Sequence, residues 1–448
     1  MFEKFCRHLV FRRLKKLERG SLTVRDESGV QTFGDSTADL NVVIDIHNNR
    51  FYRDMVLRGG IGVAESLGRS DWECANLTQL VRLFVRNLKS NDMLRGPLAA
   101  MQQTTSRFGQ FLKRNTIQKA KLNILEHYDL SNEFFELFLD ESMAYSSGIF
   151  KGTETTLREA SIEKFDRACR LLELKPTDHL VEIGTGWGGL AIHAATHYGC
   201  RVTTTTISDQ QYEFAKERIY SAGLENQIQL VRKDYRELKG KFDKLVSIEM
   251  IEAVGHQYFD TFFEKCANLL KPDGDMLLQT ITIVDHRFEY HRRSVDFIKQ
   301  FIFPGGCLPS TTALMNSMTK TTQMRLIRLD DFASHYARTL ACWRERFLLK
   351  QDAIKELGFD DRFIRLWDYY LAYCEAAFTE RHVNVVQMLF ANQGSRLESH
   401  EGLAPPTSNT PDNTPRCTDK YRSTELSTPG QDSKFNTTES LAHSDQQV

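Results

Sequence analysis

The period of the apolar positions changes several times along this chain, and each change marks an element. Phe2, Phe5, Leu9, Val10, Leu14 and Leu17 recur at helical spacing, with Lys4, Arg7, Arg12, Lys15, Lys16 and Arg19 filling most of the gaps. That pattern predicts a basic amphipathic helix over Met1–Arg19, which can lie on an anionic bilayer or pack on its own domain. Ser21–Phe33 predicts a hairpin about an E-S-G turn, and Asn41–Ile46 a further strand. Phe51–Gly62 reads as partly helical and Leu77–Leu88 as an amphipathic helix with Leu80, Leu83, Phe84 and Leu88 on its apolar face. These elements predict a small N-terminal α+β domain over residues 1–115 that carries no catalytic constellation. Asn91–Lys121 is polar and irregular and reads as a linker.

Beyond it, short apolar runs alternate with helical stretches. Strands are predicted at 179–183, 201–207, 228–232, 243–249 and 275–283, with helices at 161–174, 190–196, 209–222 and 258–270. The alternation demands a doubly wound, largely parallel α/β sheet, whose ligands sit at the carboxyl ends of the strands. Residues 285–392 form a long insertion and C-terminal helical part, with helices near 330–350 and 361–390 dense in Phe, Tyr and Trp. Such stripes serve a core by default, and a chain-shaped apolar tunnel would use the same residues. From Gly394 onward the composition turns to Ser, Thr, Pro, Asn and Asp, so 395–448 reads as a disordered tail that cannot offset its ordering entropy.

The chemistry concentrates in Asp178–Leu190, D-H-L-V-E-I-G-T-G-W-G-G-L. A strand, a glycine turn and a helix start let a cofactor approach the backbone and meet unpaired N–H groups. The turn satisfies the dinucleotide pattern G-x-G-x-x-G, but Glu182 would face a phosphate with the wrong charge. The next strand, Arg201–Ile207, also lacks the ribose-binding acid expected at its end. A lone acid before a glycine turn suits a cofactor with an amine or sulfonium. The E-x-G-x-G-x-G pattern resembles the S-adenosylmethionine (SAM) site of class I methyltransferases.

Composition narrows the remaining classes. A net charge of −1 gives no general pull toward nucleic acid, and no apolar run approaches a membrane span. Basic residues interrupt every apolar run near the N-terminus, so it does not read as a secretory signal. The nine cysteines form no C-x-x-C pair and no zinc-spaced cluster, which points to free thiols, a reducing compartment and no metal site.

Several stretches together resemble the cyclopropane-fatty-acyl-phospholipid synthases: H-Y-D-L-S-N-E-F-F…M-A-Y-S-S, E-I-G-T-G-W-G-G, T-I-S-D-Q-Q, E-M-I-E-A-V-G, R-R-S-V-D-F-I-K-Q-F-I-F-P-G-G-C-L-P-S and Y-A-R-T-L-A-C-W. The resemblance implies a class I SAM methyltransferase fold, a Rossmann-like doubly wound sheet with a helical lid insertion over 116–394. It implies methyl transfer from SAM to the cis double bond of an unsaturated phospholipid acyl chain, followed by ring closure on loss of a proton. On matching positions, Tyr145, Ser146, Glu182, Gly184, Gly186, Trp187, Gly188 and Gly189 would hold SAM, with Thr206, Ile207, Gln211, Asp234 and Tyr235 around its adenosine end. The base would be a bound bicarbonate, held partly by Glu252 and Tyr336, and an older assignment places an active-site cysteine at Cys374. Bacterial members often carry Cys and His where this chain has Ser147 and Gln279, which leaves open which proton is removed. Further expectations are peripheral membrane association on the cytoplasmic side, with a homodimer among the assemblies open to it.

Each of these residues also has a structural reading. Glu252 suits the first turn of a helix, Tyr336 a core position, Cys374 a small buried apolar position, and His127 a hydrogen-bonding group. The rival functions are a related enzyme making methylene or methyl branches, a lipid-binding homologue without chemistry, and a nicotinamide oxidoreductase, which the missing ribose acid disfavours.

Overall fold

The computed structural model describes residues 1–88 and 130–397; the linker over 91–121, His127 and residues 398–448 lie outside the described residues. The N-terminal unit opens with a helix, Phe2–Leu14, followed by β1 (Ser21–Asp26), β2 (Gly29–Gly34) and β3 (Asn41–Ile46). Helix Arg50–Gly68, β4 (Trp72–Glu73) and helix Leu77–Arg86 complete it, with the sheet in the order β2-β1-β3-β4. The second helix runs six residues past the predicted Gly62, across a break at Gly59 (φ 58°, ψ −136°). Leu77–Arg86 packs on helix Asp361–Thr379 of the C-terminal part. Thr78 Oγ1 donates to Glu375 Oε2 at 2.7 Å, while Arg82 and Arg86 grip Glu380 at 2.6 and 2.9 Å. One apolar core runs on from Cys6 through Phe134 to Val385.

The second sheet contains β5 (His179–Ile183), β6 (Arg201–Thr206), β7 (Ile228–Arg232), β8 (Phe242–Ile248) and β9 (Leu270–Ile283), all parallel, in the order β9-β8-β5-β6-β7. The strand order reverses at β5, so the crevice above its carboxyl end opens at the glycine turn. Two antiparallel strands extend the other edge: β10 (Arg325–Asp331) and, between it and β9, β11 (Val383–Ala391). The expected helix over 361–390 is corrected here, because it stops at Thr379 and 383–391 is a strand. V-N-V-V-Q-M-L-F-A is a mostly apolar run, broken by Asn384 and Gln387, in a strand buried on both faces, and periodicity alone does not separate that from a buried helix. The folded part also passes the expected boundary at 395, since Ser395 and Leu397 are buried. No described helix is long and apolar enough to cross a membrane.

Candidate active site

The turn after β5 bends because Gly184, Gly186 and Gly188 adopt positive φ (102°, 53° and 87°), a conformation that side chains with a Cβ resist. It opens a cavity of about 170 Å³ at the switch point, lined by Tyr145, Ser146, Glu182, Gly184, Gly186, Trp187, Gly189, Thr206, Ile207, Gln211, Asp234 and Tyr235. Those are the residues the resemblance assigns to SAM, except Gly188. A Cβ at 188 would lie 3.3 Å from Ala215, so this glycine lets the turn pack on helix Asp209–Ser221. Gly189 serves packing too, since a Cβ there would stand 2.9 Å from the Ser142 carbonyl.

Glu182 is buried and accepts from Thr204 Oγ1 at 2.5 Å. Burial pushes its carboxyl up to about 8, against the pull of Thr204 and Lys164. Lys164, fully buried, lines the same cavity, donates to Ser146 Oγ at 2.6 Å, and is pushed down to about 8 by burial. The Tyr235 hydroxyl is buried without a partner among the described residues, and Asp234 is held by Arg236 at 2.8 and 2.7 Å. A buried acid that gains from a neighbouring cation, beside a buried amine and an open glycine bend, fits the sulfonium and amino-acid end of SAM.

A carboxylate that the sequence reading did not single out lies one step deeper. Glu249 Oε1 accepts from the Ser147 backbone N–H at 3.0 Å and from Gln279 Nε2 at 2.8 Å, and its Oε2 accepts from the Tyr336 hydroxyl at 2.7 Å. Three groups tied by the resemblance to a bicarbonate are therefore engaged by a side chain of the protein. Ser147 contributes its N–H, while its hydroxyl donates to the Gly148 carbonyl. Gln279 is held in turn, because its Oε1 accepts from Gln387 Nε2 at 3.0 Å and Gln387 Oε1 accepts from Arg167 Nε at 3.1 Å. The relay leaves the Gln279 amide one orientation, with its N–H toward Glu249.

Glu252 stands beside this centre. Its Oε1 accepts from the Ile281 N–H at 2.5 Å and Thr280 Oγ1 at 2.8 Å, and its Oε2 has no partner among the described residues. Burial and the Glu249 charge push Glu252 up to about 8; desolvation also raises Glu249, against three donors and Lys164. Two adjacent carboxyls in a dry site do not both ionise, and the donor set puts the charge on Glu249 and the proton on Glu252.

A second cavity, about 210 Å³, starts from the same place. Tyr145, Glu249 and Ala253 line both cavities, and the second continues past Glu252, Tyr336, Ile281, Phe303, Tyr370 and Cys374. The Tyr145 and Tyr370 hydroxyls are 2.8 Å apart at the junction. An apolar, aromatic-walled channel thus arrives beside the glycine bend. Burial holds the Cys374 thiol far above its usual range, which is unsuited to a nucleophilic thiolate. Cys374→Ser is expected to leave kcat within a few-fold of the parent; a folded variant with no turnover would restore the thiol as a reactive group.

Residues 115–388 match the family model described as mycolic acid cyclopropane synthetase. The chain is 35% identical over 343 residues to the tuberculostearic acid methyltransferase of Mycobacterium tuberculosis, covering 75% of this chain and 80% of that protein. It is 33% identical over 369 residues to the cyclopropane-fatty-acyl-phospholipid synthase of Escherichia coli, covering 81% and 90%. Among solved structures, the cyclopropane synthase MmaA2 of Mycobacterium tuberculosis superposes with a TM-score of 0.57 at 30% identity, over 61% of this chain and 98% of that one. A mycolic acid cyclopropane synthase complexed with SAH and CTAB gives the same figures.

Proposed function

The chain belongs to the mycolic acid cyclopropane synthetase family of SAM-dependent methyltransferases, and from that premise we propose that it cyclopropanates the cis double bond of unsaturated acyl chains in phospholipids, with Glu249 as the base. The observation that carries this reading is the junction at Glu249, where the cofactor cavity and the apolar channel share a wall.

SAM supplies an electrophilic methyl group. An alkene is a weak nucleophile, so the chain must hold it in line with that methyl and keep water out. The channel through Ile281, Phe303 and Tyr370 does both. As the double bond gives its electrons to the new C–C bond, positive charge develops on the neighbouring carbon. The ring faces of Tyr145, Phe303 and Tyr370 stabilise it, and the dry walls prevent capture as an alcohol. The Glu249 carboxylate then accepts a proton from the added methyl, and the released C–H electrons close the ring. Protonated Glu252 keeps a second negative charge away from that carboxylate.

A second reading is favoured by the tuberculostearic acid methyltransferase relative and by a base fixed to the chain rather than borrowed from solution. A 1,2-hydride shift that moves the positive charge onto the methyl-bearing carbon, followed by loss of a proton from that methyl to the same carboxylate, gives a methylene branch instead of a ring. Incubating the full chain with labelled SAM and one defined dioleoyl phospholipid, then resolving ring from branch by mass spectrometry, decides between them. No labelled lipid from folded, SAM-binding protein would overturn both.

We propose that the outward face of the first helix contacts the membrane. Cys6, Val10, Phe11 and Leu14 are buried, while Phe2 and Phe5 are 52% and 57% exposed beside exposed Lys4, His8 and Arg12, with Lys15 and Lys16 just beyond. Two exposed rings among basic side chains suit an anionic bilayer surface. Phe2→Ser/Phe5→Ser is expected to weaken cosedimentation with anionic vesicles about tenfold or more; undiminished binding would remove this face as the contact.

A further inference from the structure

The acyl channel has a third, polar stretch of wall that the transfer chemistry does not use. His291, Asp296, Lys299 and His382 line it at the end away from Glu249. The register gives the direction: Gln279 pairs with Gln387 beside the reacting centre, and Ile283 with Val383 four residues along. At about 3.3 Å per residue this puts His382 roughly 13 Å or more from the Gln279 amide along the strands. That end approaches solvent, since His382 is half-buried, Arg287 half-buried and His286 exposed.

The charge there is one-sided. Lys299 is 6% exposed, and its ammonium donates to the His291 and Ser294 carbonyls, the latter at 3.1 Å, which uses two of its three donors. The Arg287 guanidinium forms no ion pair among the described residues. The one carboxylate on this wall, Asp296, accepts from the Lys299 backbone N–H at 2.9 Å and lies 3.9 Å from His291 Nδ1. His291 Nε2 accepts from the Leu308 N–H at 3.2 Å, so that histidine is neutral and its role is support. The buried Lys299 ammonium on the channel wall is costly unless an anion joins it, and the half-buried Arg287 guanidinium stands near enough for its charge to be felt at His291 and His382.

We infer that Arg287, Lys299 and His382 form a phosphoryl subsite that grips the headgroup phosphate of a phospholipid while one of its acyl chains reaches Glu249. The inference rests on the reading of the chain as an acyl-lipid methyltransferase. Burial and the charges of Arg287 and His286 hold His382 down to about 4, and burial with Lys299, His382 and Arg287 among the charges holds His291 down to about 3; a bound phosphate would relieve both. Tethering the headgroup at a set distance from the base would also select where along the chain the double bond is modified.

The test compares kcat/KM of the full chain, with labelled SAM, on dioleoylphosphatidylglycerol and on dioleoylglycerol, both in neutral detergent micelles. The phospholipid is expected to win by about tenfold or more, the scale of one charge-assisted hydrogen bond. Arg287→Ala and His382→Ala should each bring that ratio down toward one, and Arg287→Lys should retain most of it. Inorganic phosphate at tens of millimolar should leave the ratio standing; a ratio near one together with inhibition by phosphate would assign the site to the free ion and overturn the lipid role. A parental ratio near one, or a ratio unmoved by both alanine variants, also overturns the inference while turnover of either lipid leaves the transferase reading intact. No turnover of either lipid removes both.

Discussion

Glu249→Gln is expected to bind SAM with near-parental affinity and to lose turnover by roughly 10²–10⁴-fold, the range a positioned general base contributes. The amide fills the same volume but takes no proton, and its NH₂ group must face one of the three donors that now hold the carboxylate. Single-turnover product formation with calorimetric SAM binding separates the two effects. Glu252→Gln should lose less, because a neutral amide imitates the protonated carboxyl that Glu252 presents beside Glu249. The position offers a sharper control. Glu249 sits at φ +50°, which glycine adopts freely, so Glu249→Gly leaves the backbone at ease and three donors around an anion-sized gap. Added bicarbonate or formate is then expected to restore part of the activity. Turnover within a few-fold of the parent in Glu249→Gln would move the base elsewhere.

Glu182→Leu is the second large effect. It removes the only strand carboxylate facing the cofactor cavity from β5, and SAM affinity is expected to fall about 10- to 100-fold, as for loss of a charge-assisted interaction. Stability should move the other way. The folded carboxyl is held at about 8, above its unfolded value, so the folded state binds the extra proton between roughly pH 4.5 and 8. Ligand-free stability contributed by this group is therefore present in acid and lost as pH rises toward 8. The leucine variant escapes that loss and should show a higher Tm than the ligand-free parent near pH 8. Weaker SAM binding with a raised Tm identifies a residue kept for its ligand; unchanged binding would free Glu182 from the cofactor site.

Much of the architecture was legible because periodicity is local. The strand at 179–183, the one at 228–232 and the glycine bend between strand and helix follow from residue type alone. The stretch 383–391 was not, because a mostly apolar run buried on both faces has no period to read. At the site, Glu182 stood out through its isolation among apolar neighbours. Glu249 did not, since E-M-I-E offers two acids three residues apart and only the backbone turn at 249 decides which one meets Ser147, Gln279 and Tyr336. Gln387 and Arg167 were equally hidden: the first rides on the misread strand, and the second is 220 residues away from it in the chain.

The grip of Leu77–Arg86 on the outer side of helix Asp361–Thr379 bears on how this enzyme can be cut. The inner side of that helix supplies Tyr370, Tyr373 and Cys374 to the acyl channel, and its outer side gives Glu375 and neighbouring Glu380 their partners, Thr78, Arg82 and Arg86. Truncation to the methyl-transferring half would strand those two acids and bare a greasy flank. The first 88 residues splint the channel wall through these contacts, and removing them is expected to lower the stability of the half that carries the chemistry.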